Sequence, residues 1–306
     1  MRFVFGLTIL AALGAAQVPT EINFDDLQRS NPVPTFDHGY VAGWDMKQLH
    51  SVTLYTRDGS EAFSVTSLKL PDGTSTETPT SVAIDEDGTS AMVYRAQNGR
   101  RSGFALLDSA GKQLRVLETE PYKPSQVCFA PDHSIWIYGD EWQKAGEPEH
   151  DFLIFRHYSR EGKLIGAYVP RSALPAWEGQ GLDQLAAPFI GAAMIMGGPR
   201  QLWVELDFSG KLIGQWSIPS RLEGYVMPAA FDSKGVLYGD HTTGNNRHDG
   251  IWILDKTTGE WKPAPSLPAG HLIGADGVRL VYKRGDQLRW IPGLSTDLQE
   301  TATATP

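Results

Sequence analysis

Apolar residues are gathered along this chain into short strand-like runs, each closed by a polar turn. The clearest unit runs from Val82-Ala83-Ile84 through an Asp85-Glu86-Asp87-Gly88 turn to Ser90–Tyr94. It continues over a longer loop, Gln97–Ser102, to Phe104–Leu107, a turn at Gly111, and Gln113–Leu117. Short apolar runs bounded by Gly, Asp and Ser read as β-strands. The next unit repeats the plan with Val127–Ala130, a Pro131-Asp132-His133 turn, Ile135–Tyr138, a long loop Asp140–Asp151, Phe152–His157, a turn at Gly162 and Leu164–Val169. Earlier in the chain, Gly39–Trp44, Ser51–Thr56 and Ala62–Leu70 form a first unit. Later, Ala229–Phe231, Val236–Tyr238, Ile251–Leu254 and Trp261–Lys262 form a fifth, and His271–Gly274, Arg279–Tyr282 and Gln287–Ile291 a shorter sixth. The fourth is the least regular, with Leu182–Ala187, Ile190–Met196, Gln201–Leu206 and Leu212–Ile218.

One turn serves as a ruler. Ser209-Gly210-Lys211 recurs in kind at Gly59, Gly111, Gly162 and Gly259, so the steps from 59 to 259 are 52, 51, 48 and 49 residues. A period of this size marks a radial or solenoid repeat. Six units of four strands predict an all-β fold, a six-bladed β-propeller with four-stranded antiparallel blades. A two-sheet sandwich would leave the period unexplained. The sixth unit lacks its outer strand, and the N-terminal Ile22–Leu27 segment is the natural donor to close the ring. The expected division is a signal peptide at 1–16, a linker at 17–37 that lends a closing strand, the propeller at 38–294 and a disordered tail at 295–306.

The wording of two units resembles the NHL-like and TolB-like propeller repeats. Pro79-Thr80-Ser81-Val82-Ala83-Ile84-Asp85-Glu86-Asp87-Gly88 and Pro228-Ala229-Ala230-Phe231-Asp232-Ser233-Lys234-Gly235 each place a proline before an apolar strand and an Asp-x-x-Gly turn after it. The resemblance covers roughly residues 38–292, and the fourth unit departs from it. It implies exported six-bladed relatives that are mostly binding scaffolds, and it transfers no activity.

Composition fits this reading. The chain has 306 residues, 41% of them hydrophobic, with 32 glycines and 20 prolines, which suits many short strands joined by turns. A net charge of −9 without a basic run argues against nucleic acid, whose phosphates need clustered Lys and Arg. Met1–Ala16 has Arg2, an apolar Phe3–Leu13 segment and a small-residue Gly14-Ala15-Ala16 site, the pattern of a secretory signal. The expected protein is therefore exported, secreted or periplasmic, a monomer without a membrane span. Cys128 is the one cysteine and lies in an apolar strand, which reads as a buried inert thiol.

Chemistry is expected on one face. In a four-stranded meander, the loops joining strands two and three and those joining successive blades leave from the same side. The long connections, Pro71–Thr80, Gln97–Ser102, Asp140–Asp151, Pro170–Gly181, Pro219–Pro228 and Asp240–Gly250, all fall there. Long loops on a rigid scaffold concentrate binding residues. Asp140, Trp142, Trp177 and Arg247 are the candidate ligand-binding residues, since an exposed indole stacks on a sugar or peptide ring and Arg247 meets an anion. Asp240, His241, Asn245 and His248 are the candidate metal donors, because imidazole and carboxylate suit several divalent ions. Their spacing matches no zinc or EF-hand signature, so a solvated polar loop is the alternative.

No catalytic template is present: there is no Gly-x-Ser-x-Gly elbow, Gly-rich phosphate loop or His-Glu-x-x-His. The expected function is capture of a protein, peptide or carbohydrate on the long-loop face, with no cofactor. The alternative is a hydrolase or lactonase using a divalent cation at the mouth of the central channel. Trp177-Glu178-Gly179 is similar to the acidic motif of gluconolactonase-type propellers, though the residue order and surroundings differ.

Overall fold

The computed structural model describes residues 21–23, 35–45, 51–97, 100–141, 151–174, 190–195, 201–219, 225–243, 248–268, 270–284 and 287–294. Their strands form six antiparallel sheets arranged as a β-propeller. Blade one contains β2 (Thr35–Asp37), β3 (Tyr40–Asp45), β4 (Ser51–Tyr55) and β5 (Glu61–Val65), paired in that order. Blade two is β6 (Ser81–Ile84) to β9 (Gln113–Glu118), and blade three is β10 (Tyr122–Phe129), β11 (Ile135–Glu141), β12 (Leu153–Tyr158) and β13 (Leu164–Pro170). Blade five is β17 (Tyr225–Phe231), β18 (Leu237–Thr242), β19 (His248–Asp255) and β20 (Glu260–Pro263).

Blade six has three consecutive strands, β21 (His271–Asp276), β22 (Arg279–Arg284) and β23 (Gln287–Pro292). Its fourth is the N-terminal β1 (Glu21–Asn23), which pairs with β23 so that Ile22 lies opposite Leu288. The ring thus closes by joining the first described strand to the last, in the expected way but over Glu21–Asn23. Thr35–Asp37, expected within the linker before the propeller, is the first strand of blade one. Three residues are too few to show the alternation that marks a strand. Blade four shows three strands among the described residues, β14 (Ile190–Ile195), β15 (Gln201–Leu206) and β16 (Leu212–Ile218), while Leu182–Ala187 lies outside them.

The core is divided into wedges, one at each junction between neighbouring blades. Val52, Leu54, Met92 and Tyr94 pack between blades one and two. Phe104, Val127 and Ile137 pack between two and three, and Trp136, Phe155 and Val204 between three and four. Trp203, Phe231 and Trp261 fill the junction of blades four and five, Tyr238, Leu272 and Tyr282 that of five and six, and Phe36, Val281 and Trp290 that of six and one. Both faces of a blade meet a neighbour, so the second strands of blades one, two, three and five are buried along most of their length. Cys128 belongs to this core and burial pushes its thiol pKa up, away from reactivity.

The ruler glycine has a packing role as well as a conformational one. Gly210 has φ 85°, and a Cβ there would lie 2.0 Å from Tyr168 of β13 in the preceding blade. Only a residue without a side chain allows the turn to sit on the outer strand of the blade before it. No helix among the described residues is long and apolar enough to cross a membrane.

Candidate functional site

The candidate site is built on the end of β18. Tyr238-Gly239-Asp240 runs opposite Pro228 and Met227 of β17, and the register shifts between Pro228 and Ala230. Proline has no N–H to give the ladder, so a bulge at that point is the low-energy solution. Gly239 lies against the bulge: a Cβ there would be 2.1 Å from Val226. The glycine therefore lets the strands close up immediately before Asp240 turns its carboxylate inward.

Strand alternation then separates the candidates. Asp240 and Thr242 share one side of β18 and are 0% and 1% exposed, while His241 points the other way. Thr242 is opposite His248 across the ladder, which puts His248 on the same side as Asp240. His248 Nδ1 lies 2.7 Å from Asp240 Oδ2. From the next blade, His271, the first residue of β21, brings its Nδ1 to 3.8 Å from the same oxygen. The two imidazoles have centroids 3.8 Å apart at 58° to each other. One donor atom from each of Asp240, His248 and His271 lies within 4.8 Å of the others.

The electrostatics of this group are unusual for a buried carboxylate. His248 Nδ1 at 2.7 Å is the nearer of the two ring nitrogens to Asp240 Oδ2, Oδ1 has no hydrogen-bond partner, and neither has the buried His271 Nδ1. Burial raises the Asp240 pKa to about 6, outweighing the nearby His248 and His241. Burial also lowers the His271 pKa, helped by the charges of His248 and Lys283. Leaving a buried carboxylate oxygen without a donor costs free energy, so this arrangement opposes stability unless something else completes it.

His241 does not join the group. Its Nδ1 lies 2.5 Å from Asp249 Oδ1 and its ring stacks on Trp252, with centroids 4.5 Å apart. Asp140 is half-buried at the end of β11, where burial raises its pKa against the pull of Lys123 and Arg95. Its neighbours in the chain are engaged elsewhere. Glu141 pairs with Arg156 at 2.6 Å, and Asp151 accepts hydrogen bonds from Ser172. Trp142, Trp177, Asn245 and Arg247 lie outside the described residues.

His271 is the residue that sequence reasoning missed. The topology carried the signal: the second strand of one blade ends, and the first strand of the next begins, on the same long-loop face. Asp240 and His271 occupy those two places at the junction of blades five and six. The group therefore sits between two blades, on the second and third strands of blade five and the first of blade six.

No protein-family profile matches the chain, and no curated protein matches it by sequence. Solved structures share its architecture. Hydrazine synthase of Kuenenia stuttgartiensis is 13% identical, with 92% of this chain and 81% of that one covered and a TM-score of 0.53. A luciferin-regenerating enzyme is 12% identical over 90% and 96%, with a TM-score of 0.48. A chain of a nidogen–laminin complex is 10% identical over 82% and 84%, at 0.46. At 13% identity the likeness to hydrazine synthase bears on the fold alone, and nothing is drawn from the other two.

Proposed function

We propose that this is an exported propeller that binds its ligand on the long-loop face, at the junction of blades five and six. The observation that carries the reading is Asp240: it is fully buried, its Oδ1 has no hydrogen-bond partner, and it stands beside two imidazoles at the edge of that face. A fold retains an unsatisfied buried charge at a stability cost when a bound group satisfies it. The signal-like Met1–Ala16 segment supports export.

A second reading, hydrolysis at the same place, is favoured by the pairing of a carboxylate with two histidines, the residue types that move protons near neutral pH.

The test is a comparison of faces. Purified protein is screened against arrays of oligosaccharides and peptides, and the strongest binder is then measured with variants of each face. Asp240→Ala and His271→Ala, at the junction, are expected to weaken capture at least about 10-fold, as are Trp142→Ala and Trp177→Ala in other long connections of that face. Lys163→Glu and Lys211→Glu, in the tight turns, are expected to leave it unchanged. Loss confined to the tight-turn variants would overturn the reading.

A further inference from the structure

Three features of the Asp240 group point to one kind of occupant. The first is donor type. One carboxylate and two imidazoles is a set suited to first-row transition ions, whereas calcium and magnesium take mostly oxygen ligands. The second is spacing. Donors about 2.0–2.2 Å from a common ion stand about 3.0–3.4 Å from one another in tetrahedral or octahedral arrangements. The observed 2.7 and 3.8 Å separations from Asp240 Oδ2 to the two ring nitrogens straddle that range, so rotamer adjustments of well under an ångström would bring them into it. The third is how little else in the protein engages these donors. Asp240 Oδ1 and His271 Nδ1 have no hydrogen-bond partner, and His248 Nδ1 has only a long 3.4 Å contact with Thr242 Oγ1 besides its approach to Asp240.

From these observations we infer that Asp240, His248 and His271 form a binding site for a first-row divalent metal ion, zinc being the simplest occupant, with coordination positions left open towards the long-loop face. Three protein donors are fewer than the four of a closed structural zinc site. The exposures of the histidine side chains, 23% for His248 and 41% for His271, put the open side towards solvent, while Asp240 is at the back. The ion supplies the positive partner that the buried carboxylate lacks. Because the donors come from β18, β19 and β21, it also ties blade five to blade six, the blade closed by the N-terminal strand. The inference rests on the reading of this junction as functional and gives that site its chemistry: an open-sided metal takes a ligand with an anionic or neutral oxygen donor.

The experiment uses the full chain, stripped with a chelator and titrated with Zn²⁺ by calorimetry, with elemental analysis of the reloaded protein. One zinc per chain is expected, together with a rise in melting temperature that grows with zinc concentration, as binding to the folded state requires. Asp240→Asn and His271→Ala should each weaken zinc at least about 100-fold, more than the loss of an outer-sphere partner costs. His241→Ala, which removes a neighbouring imidazole that faces away, should change affinity by less than about 3-fold. Asp240→Asn also removes the unsatisfied charge, so without metal it should melt no lower than the wild type, which separates loss of binding from loss of fold. Co²⁺ in place of zinc should give d–d absorption bands that shift on adding azide, the mark of an open position.

No stoichiometric zinc, or equal zinc affinity in wild type and Asp240→Asn, overturns the inference. If zinc fails to bind while array capture still depends on the long-loop face, the metal centre falls and the binding reading stands. If zinc binds but capture depends on the tight turns, the metal centre stands and the binding reading falls.

Discussion

The tripeptide Tyr-Gly-Asp occurs twice, as Tyr138-Gly139-Asp140 in blade three and Tyr238-Gly239-Asp240 in blade five. Both copies end the second strand of a blade opposite a proline bulge, at Pro124 and at Pro228. In both, the glycine admits a close approach of the inner strand, with a Cβ placed 2.1 Å from Lys123 O or from Val226. The backbone is therefore the same device used twice, and the two carboxylates differ only in company. Asp140 stands opposite Lys123 and feels Arg95 of blade two; Asp240 stands opposite Met227 and feels His248 and His271. One is a half-buried carboxylate compensated by cations, the other a fully buried one flanked by metal-type donors. The repeat fixes where a carboxylate points, and the residues facing it decide what it can do.

The most forceful way to break the contrast is to give Asp240 the partner that Asp140 has. Directly opposite residues of an antiparallel pair share a face, so a lysine at 227 would reach the Asp240 carboxylate as Lys123 reaches Asp140. Met227→Lys is expected to weaken zinc binding at least about 100-fold, because a cation then occupies the charge the metal needs. The metal-free protein should melt at a higher temperature than wild type. Calorimetry and thermal denaturation on one preparation read both. Wild-type zinc affinity in this variant would mean that the opposing position does not govern the chemistry of the motif.

The converse substitution has a smaller expected effect. Lys123→Met removes a counter-charge from Asp140, whose pKa is already raised because burial outweighs Lys123 and Arg95. Its pKa then rises further. With Asp140 charged, the variant should lose about 1 kcal/mol in urea denaturation, the scale of a partly exposed ion pair. The penalty belongs to the charged carboxylate, so it should fade as pH falls and the folded protein takes up the proton. A loss that persists unchanged in acid would assign the effect to packing of the lysine stem.

The same contrast explains what the sequence made legible. The turn glycines at 59, 111, 162, 210 and 259 act over a few residues, each with positive φ in the structure, so their period exposes the blade count directly. The long-loop face followed from topology alone. Asp240 and His248 could be singled out together because they lie near each other in the chain, but the separation of His241 from them depends on which way a strand side chain points after a bulge. His271 was out of reach of local reasoning, since it meets Asp240 across a blade boundary and is 31 positions away (271 minus 240). Thr35–Asp37 was missed for a different reason: its pairing with β3 supplies the order that three residues cannot encode by themselves.

The finest comparison is between two stacked histidines, one in each of the same two blades. His157 in blade three stacks on Trp136 with centroids 4.3 Å apart, and His241 in blade five stacks on Trp252 at 4.5 Å. His241 hydrogen-bonds Asp249, whereas both ring nitrogens of His157 are buried without a partner. Burial lowers the His157 pKa, and the charge of Asp132 only partly opposes this. A depressed imidazole pKa means the folded protein holds the neutral ring. Its contribution is fully present above the unfolded value of about 6.5. As pH falls below that value the unfolded chain takes up a proton that the folded one resists, and stability declines until the folded ring also protonates. His157→Phe keeps the aromatic stack and removes the titration. The wild type should therefore lose more stability than the variant between about pH 6.5 and the onset of carboxylate titration, by a small margin measurable in matched urea series. Equal slopes would show that the ring is solvated in the folded state, and the difference between the two stacked pairs would then carry no energetic meaning.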